Sequence, residues 1–163
     1  RLGKGEVCSN PDLCNKAFIG AKLALFAGPA LLVILRDDRP DIPFPAHWDF
    51  PGGGREGGET PAQCVLRETR EEVGLALRQA DLVWARRYQS AEHASWFFAA
   101  HLAAEAAGRV RLGDEGQGWG LMTPDAYCAH PKAVPNFTVR LRDYLASADF
   151  AARGEGRQEV KRP

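Results

Sequence analysis

The chain lacks a surplus of charge: Lys plus Arg and Asp plus Glu both count 21 in its 163 residues. No global field therefore draws it toward polymeric nucleic acid or an anionic membrane, and neither is expected as a partner. Long apolar runs are missing as well. The most apolar stretch, residues 23–35, is broken at Gly28-Pro29 and falls short of the ~20 residues a membrane helix needs. It fits two strands better than the apolar region of a signal peptide. The four cysteines, Cys8, Cys14, Cys64 and Cys128, include no C-x-x-C pair, so neither a zinc site nor a disulfide framework organises the fold, and reduced, mostly buried thiols are expected. His93, His101 and His130 show no metal-ligand spacing. These absences together predict a cytoplasmic protein.

What is present suits one domain, since a chain of this size buries roughly 70% of the surface its unfolded form exposes. Residues 1–17 are mixed and polar, with the turn cluster Ser9-Asn10-Pro11-Asp12, and read as a lead-in to a domain spanning 18–152. The charged, glycine-containing end, 153–163, reads as a flexible tail. Within the domain, 21–27 and 30–35 pattern as strands hinged at Gly28-Pro29, and 82–89 and 95–102 as a second pair. Short strands are expected at 109–112 and 118–122, an N-cap at Thr123, and a last helix from near Asn136 with Phe137, Leu141, Tyr144, Leu145 and Ala148 on one face. Strands and helices without a regular βαβ repeat give an α/β (α+β) class, a mixed sheet with helices packed on it.

The densest information lies between Gly53 and Leu75, where the spacing is G-x5-E-x7-R-E-x-x-E-E-x-G. Average residue usage gives those seven identities a frequency on the order of 10⁻⁹ per window. Thr60 reads as N-cap, Pro61 as the first helical position, Gln63 as the capping-box partner and Gly74 as the left-handed stop. On that helix Glu68, Glu71 and Glu72 share a face, three and four residues apart. Like charges so placed repel, so a chain that carries all three gives up stability for a purpose. Mg2+ answers that purpose: hard cations take carboxylate oxygens and share them with the substrate's phosphates, and Mn2+ suits the same ligands. Ala62, Val65, Leu66, Thr69 and Val73 form an apolar stripe beside the acidic one. In the glycine-rich approach, a backbone carbonyl such as that of Gly52 is free to join a metal shell.

This segment resembles the signature of the Nudix hydrolases, G-x5-E-x7-R-E-U-x-E-E-x-G-U with U bulky and apolar; Thr69 at the first U is a departure. The resemblance implies an α/β/α sandwich and cleavage of a nucleoside diphosphate linked to another group. It makes Glu68, Glu71 and Glu72 metal ligands, Glu72 foremost, and casts Arg67 and Glu59 as supports that orient them. The loop Gly113–Gly118 is similar to the E-G-Q loop of MutT-type members, which adds Glu115 as a further ligand or base. His47-Trp48-Asp49-Phe50-Pro51-Gly52-Gly53 is similar to the W-x-F-P-G-G entry of triphosphate-cleaving members. Phe50 is then a base-stacking ring or a core residue, and Asn136 a base-reading amide or an N-cap. Arg36, at the end of the second strand, is a candidate for phosphate or base. The expected activity is Mg2+-dependent hydrolysis of a (d)NTP, or an oxidised one such as 8-oxo-dGTP, to monophosphate and pyrophosphate. ADP-ribose, a nucleotide sugar or a dinucleoside polyphosphate are alternatives, as is a nucleotide-binding module without turnover. A homodimer is left open.

Overall fold

A computed structural model describes residues 17–159. Residues 1–16, with the predicted turn cluster, Cys8 and Cys14, lie outside the described residues. Strand β1 (Phe18–Ala27) turns at Gly28 into β2 (Ala30–Leu35), and both are mostly buried. Two short strands follow, β3 (Trp48–Asp49) and β4 (Gly52–Gly54), before helix α1 (Pro61–Val73). Then come β5 (Leu82–Gln89), β6 (Ala94–Leu102), β7 (Gly118–Met122), α2 (Pro124–Ala129), α3 (Pro135–Leu145) and α4 (Ala148–Glu159). The sheet runs β3-β2-β1-β6-β5, with β4 added to β1 and β7 to β2. β1 and β6 are parallel and the other pairs antiparallel, so the sheet is mixed.

Alternation along the strands sorts the core into two layers. Ala21, Leu23 and Leu25 of β1 and Trp96 and Phe98 of β6 face α1, packing on Cys64, Val65 and Val73. Ala24 and Phe26, with Phe97 and Ala99, face the other way onto Tyr127, Leu141 and Tyr144 of α2 and α3. Helices thus cover both faces, an α/β/α sandwich. Each fully buried Val or Leu contributes about 1.5–3 kcal/mol from apolar burial.

α1 begins and ends where its residues dictate. Thr60 Oγ1 accepts from the Gln63 N–H at 3.1 Å, the Gln63 side chain accepts from the Thr60 N–H at 2.9 Å, and Gly74 closes the helix at φ 72°. Thr69 is fully buried although polar, because its hydroxyl donates to the Val65 carbonyl one turn back at 2.7 Å. That bond lets a threonine stand where a bulky apolar residue is the family's habit.

Two expectations need correction. Residues 109–112 form no strand: a 3₁₀ turn over Ala104–Arg109 leads into coil, and the Arg111 N–H is used by the Val73 carbonyl at the end of α1. α3 starts at Pro135 with Val134 as the cap residue, so Asn136 is inside the helix and not its N-cap. Helix α4 runs on across residue 153. Cys64 is buried, Cys128 half-buried, and both are free thiols. Burial pushes the Cys64 thiol up to about 11, so it is not a nucleophile at neutral pH.

Candidate active site

The two layers part at the end of the sheet where β1 and β6 begin, and a cleft of about 720 Å³ opens there. Glu68 and Glu72 of α1 line one side, Phe137 and Arg140 of α3 the other, and Ser95 of β6 and Lys22 of β1 lie between them. The loop from Arg36 to His47 makes an outer wall with Arg39, Ile42 and Pro43, and Glu115 sits exposed at the rim. Within the loop, Phe44 and Ala46 adopt positive φ, 48° and 56°, a strain on the order of 1–3 kcal/mol each for residues with a Cβ. It is held shut by the Arg36 N–H donating to the His47 carbonyl at 2.9 Å and the Ala46 N–H to the Asp37 carbonyl at 3.1 Å.

Arg67 is the hub behind the carboxylates. It gives Glu59 a two-pronged pair, Nε to Oε2 at 2.7 Å and Nη2 to Oε1 at 3.0 Å. Nη1 reaches both Glu68 and Glu71 at 3.1 Å, and Nη2 also donates to the Gly54 carbonyl at 2.9 Å. The guanidinium hydrogen bond holds Glu59 below its usual value. Neither Arg67 nor Glu59 lines the cleft, so both can act only through the groups they hold. Glu71 departs from the expected three-carboxylate cluster: its side chain is 57% exposed, on the Arg67 side and outside the cleft lining. A face shared on a helix is wide enough for Glu68 and Glu72 to point inward while Glu71 points to solvent.

Glu68 packs so tightly on β4 that a Cβ on Gly53 would stand 2.7 Å from its carboxyl carbon. Glu72 hydrogen-bonds to Glu68, and its carboxyl is pushed up to about 8, by burial above all, with Asp49 and Glu68 adding and Lys22 opposing. Among the described residues no group of three or more Asp, Glu, His or Cys side chains is drawn together as a preformed cation site. The chemistry of the Glu68–Glu72 pair nonetheless fits a divalent cation: hard oxygen donors, both half-buried, sharing a proton that a cation replaces as the neutralising charge. Glu115 at the rim offers a third carboxylate to the same cleft. The Gly52 carbonyl also borders it but already accepts from Lys22 Nζ at 3.0 Å.

Sequence reasoning missed a buried ionic knot. Asp49, 6% exposed, accepts on Oδ2 from Lys22 Nζ at 3.0 Å and Arg36 Nη1 at 2.9 Å, and on Oδ1 from the Phe50 N–H. Lys22 also donates to the Phe50 carbonyl, so one ammonium fixes the course of Phe50–Gly52 beneath the cleft. An unpaired polar residue in an apolar strand, Lys22 in β1, was the available signal. Arg36 lines the cleft, and its Nε is buried without a hydrogen-bond partner. Phe50 is corrected: at 0% exposure it lies among Phe97, Tyr127 and Phe137, and no base can reach its face. Asn136 is exposed and does not border the cleft; on a helix the residues one and four positions on, Phe137 and Arg140, take that place.

A model of the NUDIX domain matches residues 20–144, and the chain belongs to the Nudix family. An 8-oxo-dGTP diphosphatase from Proteus vulgaris is 50% identical over 36 residues, 22% of this chain and 32% of that protein. An RNA pyrophosphohydrolase from Mannheimia succiniciproducens is 48% identical over 40 residues, 24% of this chain and 20% of that protein. The matched stretches thus span a third or less of these relatives. The crystal structure of a MutT NUDIX hydrolase from Burkholderia pseudomallei superposes at a TM-score of 0.61 with 23% identity, covering 77% of this chain and 96% of that one. That likeness establishes the fold. No helix among the described residues is long and apolar enough to cross a membrane.

Proposed function

We propose that the protein is a pyrophosphohydrolase that takes a nucleoside triphosphate, ordinary or oxidised, to the monophosphate and pyrophosphate. The observation that carries this reading is the pairing of Glu68 and Glu72 inside a cleft whose opposite wall is an aromatic ring and an arginine. An acidic end suits a cation and phosphates, and an aromatic end suits a base. The diphosphatase and pyrophosphohydrolase among the relatives support the same reaction class.

In this reading Glu68, Glu72 and Glu115 hold Mg2+, or Mn2+ in its place. The ion supplies charge neutralisation at the phosphates as water displaces pyrophosphate. Arg67 keeps Glu68 in place, and Glu59 keeps Arg67. Arg36, with a free Nε beside its bond to Asp49, and Lys22 bring positive charge to the phosphate path.

Pyrophosphate and phosphate release from a panel of nucleoside triphosphates, 8-oxo-dGTP, ADP-ribose and diadenosine polyphosphates, with and without excess Mg2+, tests it. Metal-dependent pyrophosphate release from a triphosphate is expected. Turnover confined to ADP-ribose or the diadenosine compounds would replace the substrate, and tight binding without any turnover would replace the enzyme by a binding module. Gly53→Ala is a sharper probe of geometry. The added methyl must displace the Glu68 carboxylate, and a misplacement of about 1 Å lowers turnover on the order of 10²-fold. The thermal midpoint should move little, because a side chain at the cleft edge has room to swing. Unchanged kcat in Gly53→Ala would mean that Glu68 does not hold the ion.

A further inference from the structure

Among the described residues Arg140 is the one cleft-lining cation that no acid claims. The nearest candidate, Asp143 one turn on, is engaged by Tyr88 Oη at 2.7 Å and Arg86 Nη1 at 3.3 Å. Arg36 and Lys22 share Asp49, and Arg39 pairs with Asp41. Among the described residues Arg140 has only rings for company: its guanidinium lies 4.6 Å from the centre of Tyr88 and 5.8 Å from that of Phe137. Burial holds it below its ordinary pKa, with Tyr88 opposing. Stacking fixes the plane of the fork and leaves its N–H edge to make the hydrogen bonds. Ser95, which pairs with Tyr88 across β5 and β6, borders the same corner of the cleft.

Phosphates do not belong in this corner. Lys22 also stands over the Phe137 ring, 5.7 Å from its centre, but it is Lys22, and not Arg140, that acts on the charge of Glu72. A nucleotide with its phosphates at the carboxylates therefore extends its base toward Phe137 and Arg140. Arginine offers donors only, in a flat fork, and the base edge that answers two parallel donors is the O6/N7 edge of guanine. Adenine puts an amino donor beside its N7, and uracil and thymine carry an N–H between their carbonyls; cytosine alone among the pyrimidines sets two acceptors, O2 and N3, side by side, so CMP is part of the test.

We propose that Arg140, backed by Tyr88 and flanked by Phe137, reads unoxidised guanine in the bound nucleotide through O6 and N7, a pair of acceptors that 8-oxoguanine, protonated on N7, does not offer. The inference rests on the nucleotide reading above, but its test needs no turnover. GMP, 7-deaza-GMP, AMP and CMP are titrated calorimetrically into the wild-type protein and into Arg140→Met and Arg140→Lys, with melting curves confirming that each variant folds. GMP should bind wild type about ten-fold or more tightly than any of the others. In Arg140→Met the four should converge to within about two-fold, with Arg140→Lys recovering only part of the difference because an ammonium is a point donor. Equal weakening of GMP and AMP in Arg140→Met would overturn the proposal and assign the cation to phosphate. A wild type that prefers AMP or CMP, or accepts 7-deaza-GMP as well as GMP, would also overturn it. If wild type selects GMP in this way but cleaves no triphosphate, the hydrolytic reading fails and the base subsite stands.

Discussion

Glu72→Gln should lower kcat for pyrophosphate release by roughly 10³-fold or more, since the charge stabilisation a bound ion gives is worth several kcal/mol. The amide matches the carboxyl in size and hydrogen bonds to Glu68 but brings no charge to a cation. The fold should not suffer, and the reason lies in the titration of Glu72. Its carboxyl stands near 8 in the folded protein against an ordinary 4.5. Between those pH values the folded chain holds a proton that the unfolded chain has released. The associated stability is complete below about pH 4.5 and is lost as pH rises through about 8. Without metal at neutral pH, Glu72→Gln should therefore melt at or above the wild-type temperature. Excess Mg2+ should raise the wild-type midpoint and leave the variant's nearly unmoved. A fully active Glu72→Gln protein would remove the carboxylate from the reaction, and a variant that melts well below wild type without metal would show that Glu72 serves the fold instead.

Arg67→Ala should produce the largest loss of stability, about 2–3 kcal/mol after allowing for the partial exposure of its partners. Its guanidinium joins Glu59, Glu68, Glu71 and the Gly54 carbonyl, so its removal leaves Glu59 and Glu68, each 17% exposed, without their counter-charge. Urea unfolding measures this, and turnover should fall with it because Glu68 loses its anchor. Arg67→Lys should restore less than half the stability, since one ammonium cannot serve a two-pronged pair and two further carboxylates together. An unchanged urea midpoint in Arg67→Ala would mean that these contacts are exchanged for water at no cost.

What could be read in the sequence was local. The α1 cap, its stop at Gly74 and its buried stripe depend on residues within a turn or two of each other, and the strand pairs, read as 21–27 with 30–35 and 82–89 with 95–102 and found as Phe18–Ala27 with Ala30–Leu35 and Leu82–Gln89 with Ala94–Leu102, show in their apolar density. What escaped depended on distance along the chain. Lys22 meets Asp49 across 27 residues, and Arg140 meets Tyr88 across two elements. No spacing rule links either pair. Phe50 and Asn136 show the converse: a motif places an aromatic and an amide near a base, and only packing says that the ring is enclosed by Phe97, Tyr127 and Phe137 and that the amide turns away. The same holds for Glu71, whose direction the Arg67 hub decides.

The cleft draws its two walls from opposite faces of one sheet, α1 on one side and α3 on the other. On the proposed reading, substitutions along residues 135–145 would change which molecule is accepted without disturbing the carboxylates, and changes in α1 would alter the reaction without touching what is recognised. A lineage built on this plan inherits chemistry and taste as separate traits, each free to drift on its own side of the sheet.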